Sequence, residues 1–263
     1  MLWVEQVTGA FLLSVLIFCV ISAQKLNQLE LPRSVFSYSS PFAFYFHAIF
    51  RLSTLALYII VLVKQFADYG ITMISYYTIW NFILQMIYYI WAIKYQYTTA
   101  QSRYEPVTTT KEILYLNMLF DVCFSNSILV DIVFWAFLYY PGMSWYGYVE
   151  HGGNTIAFFV EFMCNHFLIS RKSWFFTIFF AAIYSTFVWI SYATWLDHEW
   201  PYFFLSMDTP YAPLWHFGIF GGHVLTFGGA IGLSKLKEYC LPDKQSVPVS
   251  FILPQAQNRI SYV

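Results

Sequence analysis

Seven apolar segments alternate with short polar connections along the chain. A helix needs about 20 apolar residues to cross the roughly 30 Å hydrocarbon core of a bilayer. A lipid-exposed backbone must also satisfy its own hydrogen bonds, which favours helices. The pattern therefore predicts an all-α fold, a polytopic transmembrane bundle of about seven helices. The predicted spans are Trp3–Ala23, Phe42–Val63, Ile71–Ile93, Ile113–Tyr140, His151–Ile169, Trp174–Leu196 and Leu214–Leu233.

The lysines and arginines of the connections are distributed unevenly between the two sides that these spans define. Lys64 alone falls on one side, and cytoplasmic loops carry the excess of basic residues, so we expect the N-terminus outside and the C-terminus inside. Residues 1–234 would form the transmembrane domain, and residues 235–263 a short tail on the basic, cytosolic or matrix side. The expected location is an endomembrane or the plasma membrane, with the mitochondrial inner membrane as the alternative. The basic side holds Lys25, Arg33, Lys94, Arg103, Lys111, Arg171, Lys172, Lys235, Lys237, Lys244 and Arg259.

The composition agrees with a membrane protein and excludes several other classes. Hydrophobic residues make up 59% of the chain and charged residues only 10%, whereas about 25% of residues are charged in soluble domains. The formal net charge of -1 provides no field that would attract nucleic acid. The four cysteines include no C-x-x-C pair, so we expect neither a metal site nor a cofactor. The expected partners are membrane lipids and other proteins within the membrane.

The fifth segment carries a polar stripe on an otherwise apolar helix. At 100° per residue, one face about 80° wide holds His151, Asn154, Glu161 and Asn165. Ionisable groups inside a bilayer are costly and usually face the bundle interior, so the stripe should meet other polar groups there. The candidates are Arg51 and Thr54 in the second segment, Asp121 and Asp131 in the fourth, and His216 and His223 in the seventh.

Two interpretations of these buried polar residues stay open. In the first interpretation the role is purely structural. Arg51 is the first expected partner of Glu161, and this ion pair would fix the register of the helices. The alternative is a polar cavity that opens outward, with Thr54 near mid-depth and with His151 and Asn154 near its mouth. The two histidines of the seventh segment are too far apart in sequence for joint metal ligation, so no metal is expected there.

The last segment contains six glycines, and two pairs have the small-xxx-small spacing that permits close helix approach. These pairs are Gly218 with Gly222, and Gly228 with Gly232. Packing inside the bundle is the expected use of this face, and a dimer interface is the alternative.

Four short motifs occur in order across about 150 residues. With them the chain resembles the androgen-induced-gene membrane protein family, and especially its rolling stone-like branch. The specificity comes from the order and depth of the motifs, since each one is short. They are Arg51-Leu52-Ser53-Thr54-Leu55, Val133-Phe134-Trp135, His151-Gly152-Gly153-Asn154-Thr155 and Trp200-Pro201-Tyr202.

The resemblance implies a candidate catalytic site. In hydrolytic members an intramembrane threonine and a histidine cleave fatty acid esters of hydroxy fatty acids, and Thr54 matches that threonine by position. The hydrolases have a His-Gly-x-His-Thr segment whose second histidine is catalytic, whereas this chain has Asn154 there and retains His151. Asparagine cannot act as a general base, so His151 would have to accept the hydroxyl proton. Rolling stone-like members are similar to this chain in carrying asparagine, and they are associated with membrane and cell-fusion roles.

Three functions remain as hypotheses at this point. The first is a structural or interaction role, for example as an accessory subunit of a larger membrane complex. The second is an intramembrane lipid-ester hydrolase with Thr54 as nucleophile, His151 as base and Asn154 as oxyanion donor. The third is a proton or small-solute pathway through the buried ionisable residues.

Overall fold

A computed structural model describes residues 2–23, 41–101, 111–165 and 167–240, and every regular element within these ranges is a helix. Seven of the helices have 11 residues or more. The predicted all-α fold is therefore confirmed. The predicted connections at 24–40 and 102–110 and the tail at 241–263 lie outside the described residues. The helices are α1 Leu2–Ala23, α2 Pro41–Tyr69, α3 Tyr77–Gln101, α4 Lys111–Val133, α5 Asn154–Cys164, α6 Trp174–Thr194 and α7 Ala212–Cys240.

Five of the described helices are long and apolar enough to cross a membrane, which indicates a polytopic membrane protein. They are α1, α2, α4, α6 and α7, with short helical extensions on three of them. Among the remaining two, α3 has 25 residues but a less apolar sequence, with Asn81, Gln85 and Gln96 all buried. The other, α5, has only 11 residues and would be about 16 Å long.

The centre of the bundle is α4, which packs against α3, α5, α6 and α7. In its apolar window 78% of the residues are buried, against 17% for α1. This central place explains why α4 shows no separate polar face, since a helix that is surrounded by other helices buries its whole circumference. At the edge, α1 packs mainly on α6 and α7, while α2 packs mainly on α3.

The prediction for the fifth span was wrong in its extent. A helix was expected over His151–Ile169, but a π-helical turn at Val149–Gly153 precedes α5, with His151 out of helical geometry at φ -118° and ψ 33°. At its other end α5 stops at Cys164 instead of continuing to Ile169. The third span is also displaced, since Gly70–Ser75 form a 3-10 helix and α3 starts only at Tyr77.

Polar side chains explain why α5 stops so early. The side-chain Oδ1 of Asn165 accepts a 3.0 Å hydrogen bond from the backbone N–H of Phe167, which offers the chain an alternative to continuing the helix. The ammonium group of Lys237 on α7 donates to the backbone oxygens of Phe162, Asn165 and Phe167, the last two at 2.7 and 3.1 Å. Helix C-termini leave carbonyls unpaired and favour cations, so Lys237 stabilises this end.

The bundle has two chemically different ends, which we call the acidic end and the basic end. The acidic end holds Asp68, Glu150 and Glu199, near the end of α2 and the start of α3. The basic end holds Arg171 and Lys172, at the start of α6.

The segment between α6 and α7 folds back over the acidic end. Its Tyr202 is buried, and the phenol oxygen accepts a 3.0 Å hydrogen bond from the backbone N–H of Tyr77 at the start of α3. This contact satisfies one of the amides that a helix N-terminus leaves free. The segment is therefore an ordered cover over that end of the bundle.

The glycines of α7 do not pack as the sequence predicted. Only Gly222 makes a close approach within the bundle, because a Cβ atom there would lie 2.9 Å from Cδ1 of Leu129 on α4. At the other five positions a Cβ atom would have no neighbour within 4 Å among the described residues. Packing inside the bundle is thus the wrong explanation for most of this face. The five are Gly218, Gly221, Gly228, Gly229 and Gly232.

Candidate functional site

A fully buried ion pair joins α2 to α5. The guanidinium of Arg51 donates from Nε to both carboxylate oxygens of Glu161 at 3.1 Å, and from Nη2 to Oε1 at 2.5 Å. Both side chains are 0% exposed. The predicted Arg51 and Glu161 partnership is confirmed. Its geometry is the planar, bidentate kind that gives arginine its preference for buried carboxylates.

Neighbouring polar groups complete this buried pair. The Tyr88 hydroxyl donates to Glu161 Oε1 at 2.8 Å, and Arg51 Nη1 donates to Gln96 Oε1 at 2.8 Å. In turn Gln96 Nε2 donates to the backbone oxygen of Phe44 at 2.8 Å. A buried ion pair is tolerated when its remaining hydrogen-bonding capacity is also filled, which these contacts achieve. The network therefore ties α2, α3 and α5 together.

Asp121, which was also predicted to belong to the buried polar cluster, lies at the basic end and contacts other residues. Its carboxylate accepts hydrogen bonds from Asn117 Nδ2 at 2.8 Å and from the backbone N–H of Ser170 at 3.1 Å. The neighbouring N–H of Ile169 donates to Ser234 Oγ at 2.6 Å. These contacts of Asp121 are separate from the Arg51 pair. It holds the non-helical segment that follows α5 against α4.

At the acidic end lies a cavity of about 320 Å³, which we call the tyrosine-lined cavity. Gln65 on α2 reaches into it and donates from Nε2 to Glu150 Oε2 at 2.5 Å. The cavity is lined by Gln65, Tyr69, Met73, Tyr76, Thr78, Ile79, Phe134, Leu138, Tyr140, Met143, Ser144, Tyr146, Gly147, Glu150, His151, Pro201 and Tyr202.

The backbone kink at His151 turns its side chain into this region. The imidazole stacks on the Phe134 ring with centroids 3.6 Å apart and planes 3° from parallel. Trp135 Nε1 donates to the His151 backbone oxygen, which holds the kinked turn against the end of α4. The ring nitrogen Nδ1 is buried and has no hydrogen-bond partner among the described residues.

A smaller cavity of about 50 Å³ lies beside the first, and we call it the histidine cavity because both His151 and His223 line it. The two ring nitrogens of His223 are engaged, Nδ1 with the backbone oxygen of Ile219 at 2.8 Å and Nε2 with the Tyr77 hydroxyl at 2.9 Å. A carbonyl only accepts, so Nδ1 carries the proton and Tyr77 donates to Nε2. Among the described residues, His216 bonds the Ala212 carbonyl of its own helix at 2.9 Å through Nδ1, while its Nε2 has no partner.

Neither of these two cavities is lined by all three residues suggested by the family resemblance. His151 lines both cavities, while Thr54 on α2 lines neither. The side chain of Asn154 is fully buried, and its Oδ1 accepts from the N–H of Thr155 at 2.5 Å. The carboxylate of Asp131 is partly buried, and its Oδ1 has no hydrogen-bond partner among the described residues.

The contact between Arg51 and Glu161 is a reference point for the position of Thr54 along the bundle axis. Thr54 lies three residues beyond Arg51, or about 4.5 Å along α2. Asn154 lies seven residues before Glu161, or about 10 Å along α5. Counted from the Arg51–Glu161 contact, the positions of Thr54 and Asn154 differ by about 6 Å of helix rise. Direct contact between these two short side chains is therefore not favoured.

Sequence reasoning missed the contribution of α3. Spacings of three, four and eight residues place Thr78, Asn81, Gln85, Tyr88 and Gln96 on one face of that helix, and all five are buried. This regular polar spacing was a usable signal. Lys237 was missed for another reason, because it was counted as a loop lysine and its sequence neighbours show no partner.

Comparison with models of protein families, with curated proteins and with solved structures finds no match.

The buried ion pair generates a stability prediction. Replacing Glu161 by Leu leaves the Arg51 guanidinium buried without its counter-ion, and this typically costs about 3–5 kcal/mol. The double variant Arg51→Met/Glu161→Leu should recover most of that loss, because no unpaired charge remains. Reversible unfolding in detergent or bicelles measures both values.

The exposed pair between Lys64 and Asp68 serves as the control, with a distance of 2.8 Å. Asp68→Asn should change stability little, because solvent screens exposed ion pairs. A Glu161→Leu variant that is as stable as the native protein would contradict the structural role of the buried pair.

Proposed function

We propose that this chain is a seven-span membrane protein of the androgen-induced-gene type, on the rolling stone-like branch, with a structural or interaction role. An accessory subunit of a larger membrane assembly is the form of that role we favour. Support comes from an interior whose main charge pair is fully hydrogen-bonded, and from a glycine-rich face that the bundle itself leaves uncovered.

The two helices beyond the five long apolar ones can also cross the membrane. Both α3 and α5 pack on the central helix α4, so their polar residues are shielded from lipid. The helical stretch that begins at Trp145 and ends at Cys164 gives α5 additional length across the π-helical turn. Seven spans would place the N-terminus outside and the C-terminus inside, with an endomembrane or the plasma membrane as the proposed location.

The observation that carries the interaction role is the exposed glycine face of α7. Gly218, Gly221, Gly228, Gly229 and Gly232, together with the exposed Leu225, fall on one helical face at 100° per residue. Glycine weakens a helix by about 1 kcal/mol relative to alanine, so an exposed series needs another reason. In membranes such a face lets a second backbone approach closely and gain van der Waals contacts.

The proposed occupant is a transmembrane helix of another protein. The glycine face continues at Gly221 into an apolar groove of about 470 Å³ between α1 and α7. Phe11, Phe18 and Phe217 line that groove. The glycine face lies beside this aromatic groove. Together they suit a helix that carries both small and bulky residues along one face. Two copies of α7 packed face to face would leave the groove unfilled.

The hydrolase remains the alternative function, and one observation favours it. His151 lines the tyrosine-lined cavity, and its ring nitrogen Nδ1 has no hydrogen-bond partner among the described residues. The different positions of Thr54 and Asn154 along the bundle axis disfavour the hydrolase.

A topology prediction follows from the charge distribution. A tag placed after Val263 should be accessible only from the cytosolic or matrix side, and a tag placed before Met1 only from the opposite side. Protease protection in sealed membranes measures both. Two tags on the same side would contradict an odd number of spans.

The glycine face can be tested by photo-crosslinking in native membranes. A photoreactive residue at Leu225 should form a covalent product with a transmembrane helix of another protein, identified by the cross-linked peptide. Adding Gly228→Leu should abolish the product without loss of folded protein, because no neighbour lies near that position in the bundle. Gly222→Leu should instead reduce folded yield, because of its contact with Leu129.

Two controls make this outcome interpretable. A photoreactive residue at Ile60, which is exposed on α2, should give only lipid adducts, and Ala56→Leu should leave the Leu225 product unchanged. Adducts with lipid alone at Leu225 would refute the partner proposal. A cross-link to a second copy of the chain would replace the foreign partner by a dimer.

The catalytic alternative has its own test. A structural role predicts that the purified protein does not hydrolyse a fatty acid ester of a hydroxy fatty acid, and that a serine-reactive lipid probe does not label Thr54. Asn154→His should not confer turnover, because the asparagine lies at a different level from Thr54. Labelling that is lost in Thr54→Ala but kept in Thr226→Ala would instead establish the hydrolase.

A further inference from the structure

The tyrosine-lined cavity contains three buried polar atoms that the protein leaves without partners. They are Gln65 Oε1, Glu150 Oε1 and His151 Nδ1, and none has a hydrogen-bond partner among the described residues. Glu150 is only 2% exposed and uses its other carboxylate oxygen to accept from Gln65. Buried polar atoms are costly when unpaired, so this group indicates a ligand that brings positive charge, hydrogen-bond donors or both.

The charge of the cavity is one-sided. Glu150 is the acid that lines it, and neither lysine nor arginine is present among its lining residues in the described part of the chain. Lys64 is the basic residue of α2 nearest in sequence to Gln65, and it is already paired with Asp68. Arg51 is committed to Glu161 on the same helix. A carboxylate in this setting can be neutralised by a cation from outside the chain.

The walls of the cavity are aromatic. A cation is attracted to the face of an aromatic ring, and several rings around one carboxylate form the cage that recognises organic ammonium groups. Two of the rings are held in place, since Tyr146 donates to Asp68 at 3.2 Å and Tyr202 accepts from the N–H of Tyr77. The rings are those of Tyr69, Tyr76, Phe134, Tyr140, Tyr146 and Tyr202.

The size and ligand set favour an organic cation over a metal ion. The volume of about 320 Å³ lies at the lower end of the roughly 300–1,000 Å³ range of small-molecule pockets. A metal site would need three or four ligating side chains, and no group of three His, Cys, Asp or Glu residues suited to a metal occurs in the described ranges.

We propose that the tyrosine-lined cavity binds an ammonium group of the choline or ethanolamine type, with Glu150 as its counter-ion and the tyrosine rings around it. Gln65 Oε1 supplies a further acceptor for an N–H or hydroxyl of the ligand. The same chemistry is present in a phospholipid headgroup and in a free organic amine. This proposal is independent of the interaction role of α7.

Binding should depend on pH in a defined direction. Burial disfavours the charged form of the Glu150 side chain, so its carboxyl group must lose a proton before it can pair with an ammonium. Affinity should therefore rise as the pH is raised from 7 to 9. The titratable or charged groups around Glu150 are Lys64, Asp68, Tyr69, Tyr76, Tyr140, Tyr146, His151 and Tyr202. Protonation of His151 at low pH would weaken cation binding in the same direction.

The first experiment titrates choline chloride and ethanolamine hydrochloride into the purified full chain and follows intrinsic fluorescence, with potassium chloride as the ionic-strength control. Glu150→Gln preserves the shape and the contact with Gln65 but removes the charge, and it should weaken binding at least tenfold at pH 9. Glu199→Gln, an exposed acid at the same end, should leave binding unchanged. Tyr140→Leu, whose ring is 55% exposed, should weaken binding without unfolding the protein.

The second experiment separates the two sources of ammonium. Native mass spectrometry after mild extraction should show retained phosphatidylcholine or phosphatidylethanolamine that Glu150→Gln loses if a lipid headgroup is the ligand. Binding of the free amine without any retained lipid would assign a soluble ligand, and either result supports the site. Failure of both, or equal retention of phosphatidylglycerol, which has no ammonium, would overturn the proposal. Equal binding by Glu150→Gln and the native protein would overturn it as well.

Discussion

The buried ion pair between Arg51 and Glu161 constrains how α2 can pack against α5. Neither charge can reach water, so any slip of one helix along the other would leave both unpaired at a cost of several kcal/mol. A second contact, from Gln65 to Glu150, fixes the other end of the same helix pair. These two contacts determine the level of every residue between them, including Thr54. The register of the interior is thus set by electrostatics more than by the shape of apolar side chains.

The sequence could predict the parts of the fold that depend on local patterns. Hydrophobic length gave the helices, and the cost of an unpaired charge in lipid gave Arg51 as the partner of Glu161. The sequence could not predict the early end of α5, because that end depends on a contact with Lys237 of α7. Lys237 is 72 residues away from Asn165 in the sequence. Nor could the sequence predict that most α7 glycines face outward, since glycine spacing is the same for an internal and an external partner.

The arrangement of polar groups separates the possible functions physically. The carboxylates of Glu161 and Asp121 both accept hydrogen bonds from donors within the protein. They are therefore poorly suited to carry a proton or a solute along a transport pathway. Unpaired buried polar atoms of Gln65, Glu150 and His151 line the tyrosine-lined cavity, while others, on Asn81, Gln85 and Asn126, are enclosed among the helices. The roles that we propose for the surface and for the cavity therefore differ. The outer face of α7 offers van der Waals contact to another helix, while the tyrosine-lined cavity offers charge and ring faces to a cation.

The most direct test of this account measures the register of α2 against the α5 region by cross-linking. In a background without the exposed cysteines, a short bifunctional thiol reagent should join Gln65→Cys to Glu150→Cys far better than it joins Val61→Cys to Glu150→Cys. The two positions on α2 are one helical turn apart, or about 6 Å. When the buried ion pair is also replaced by Met and Leu, the account predicts that this preference is lost. An unchanged preference would show that apolar packing alone sets the register.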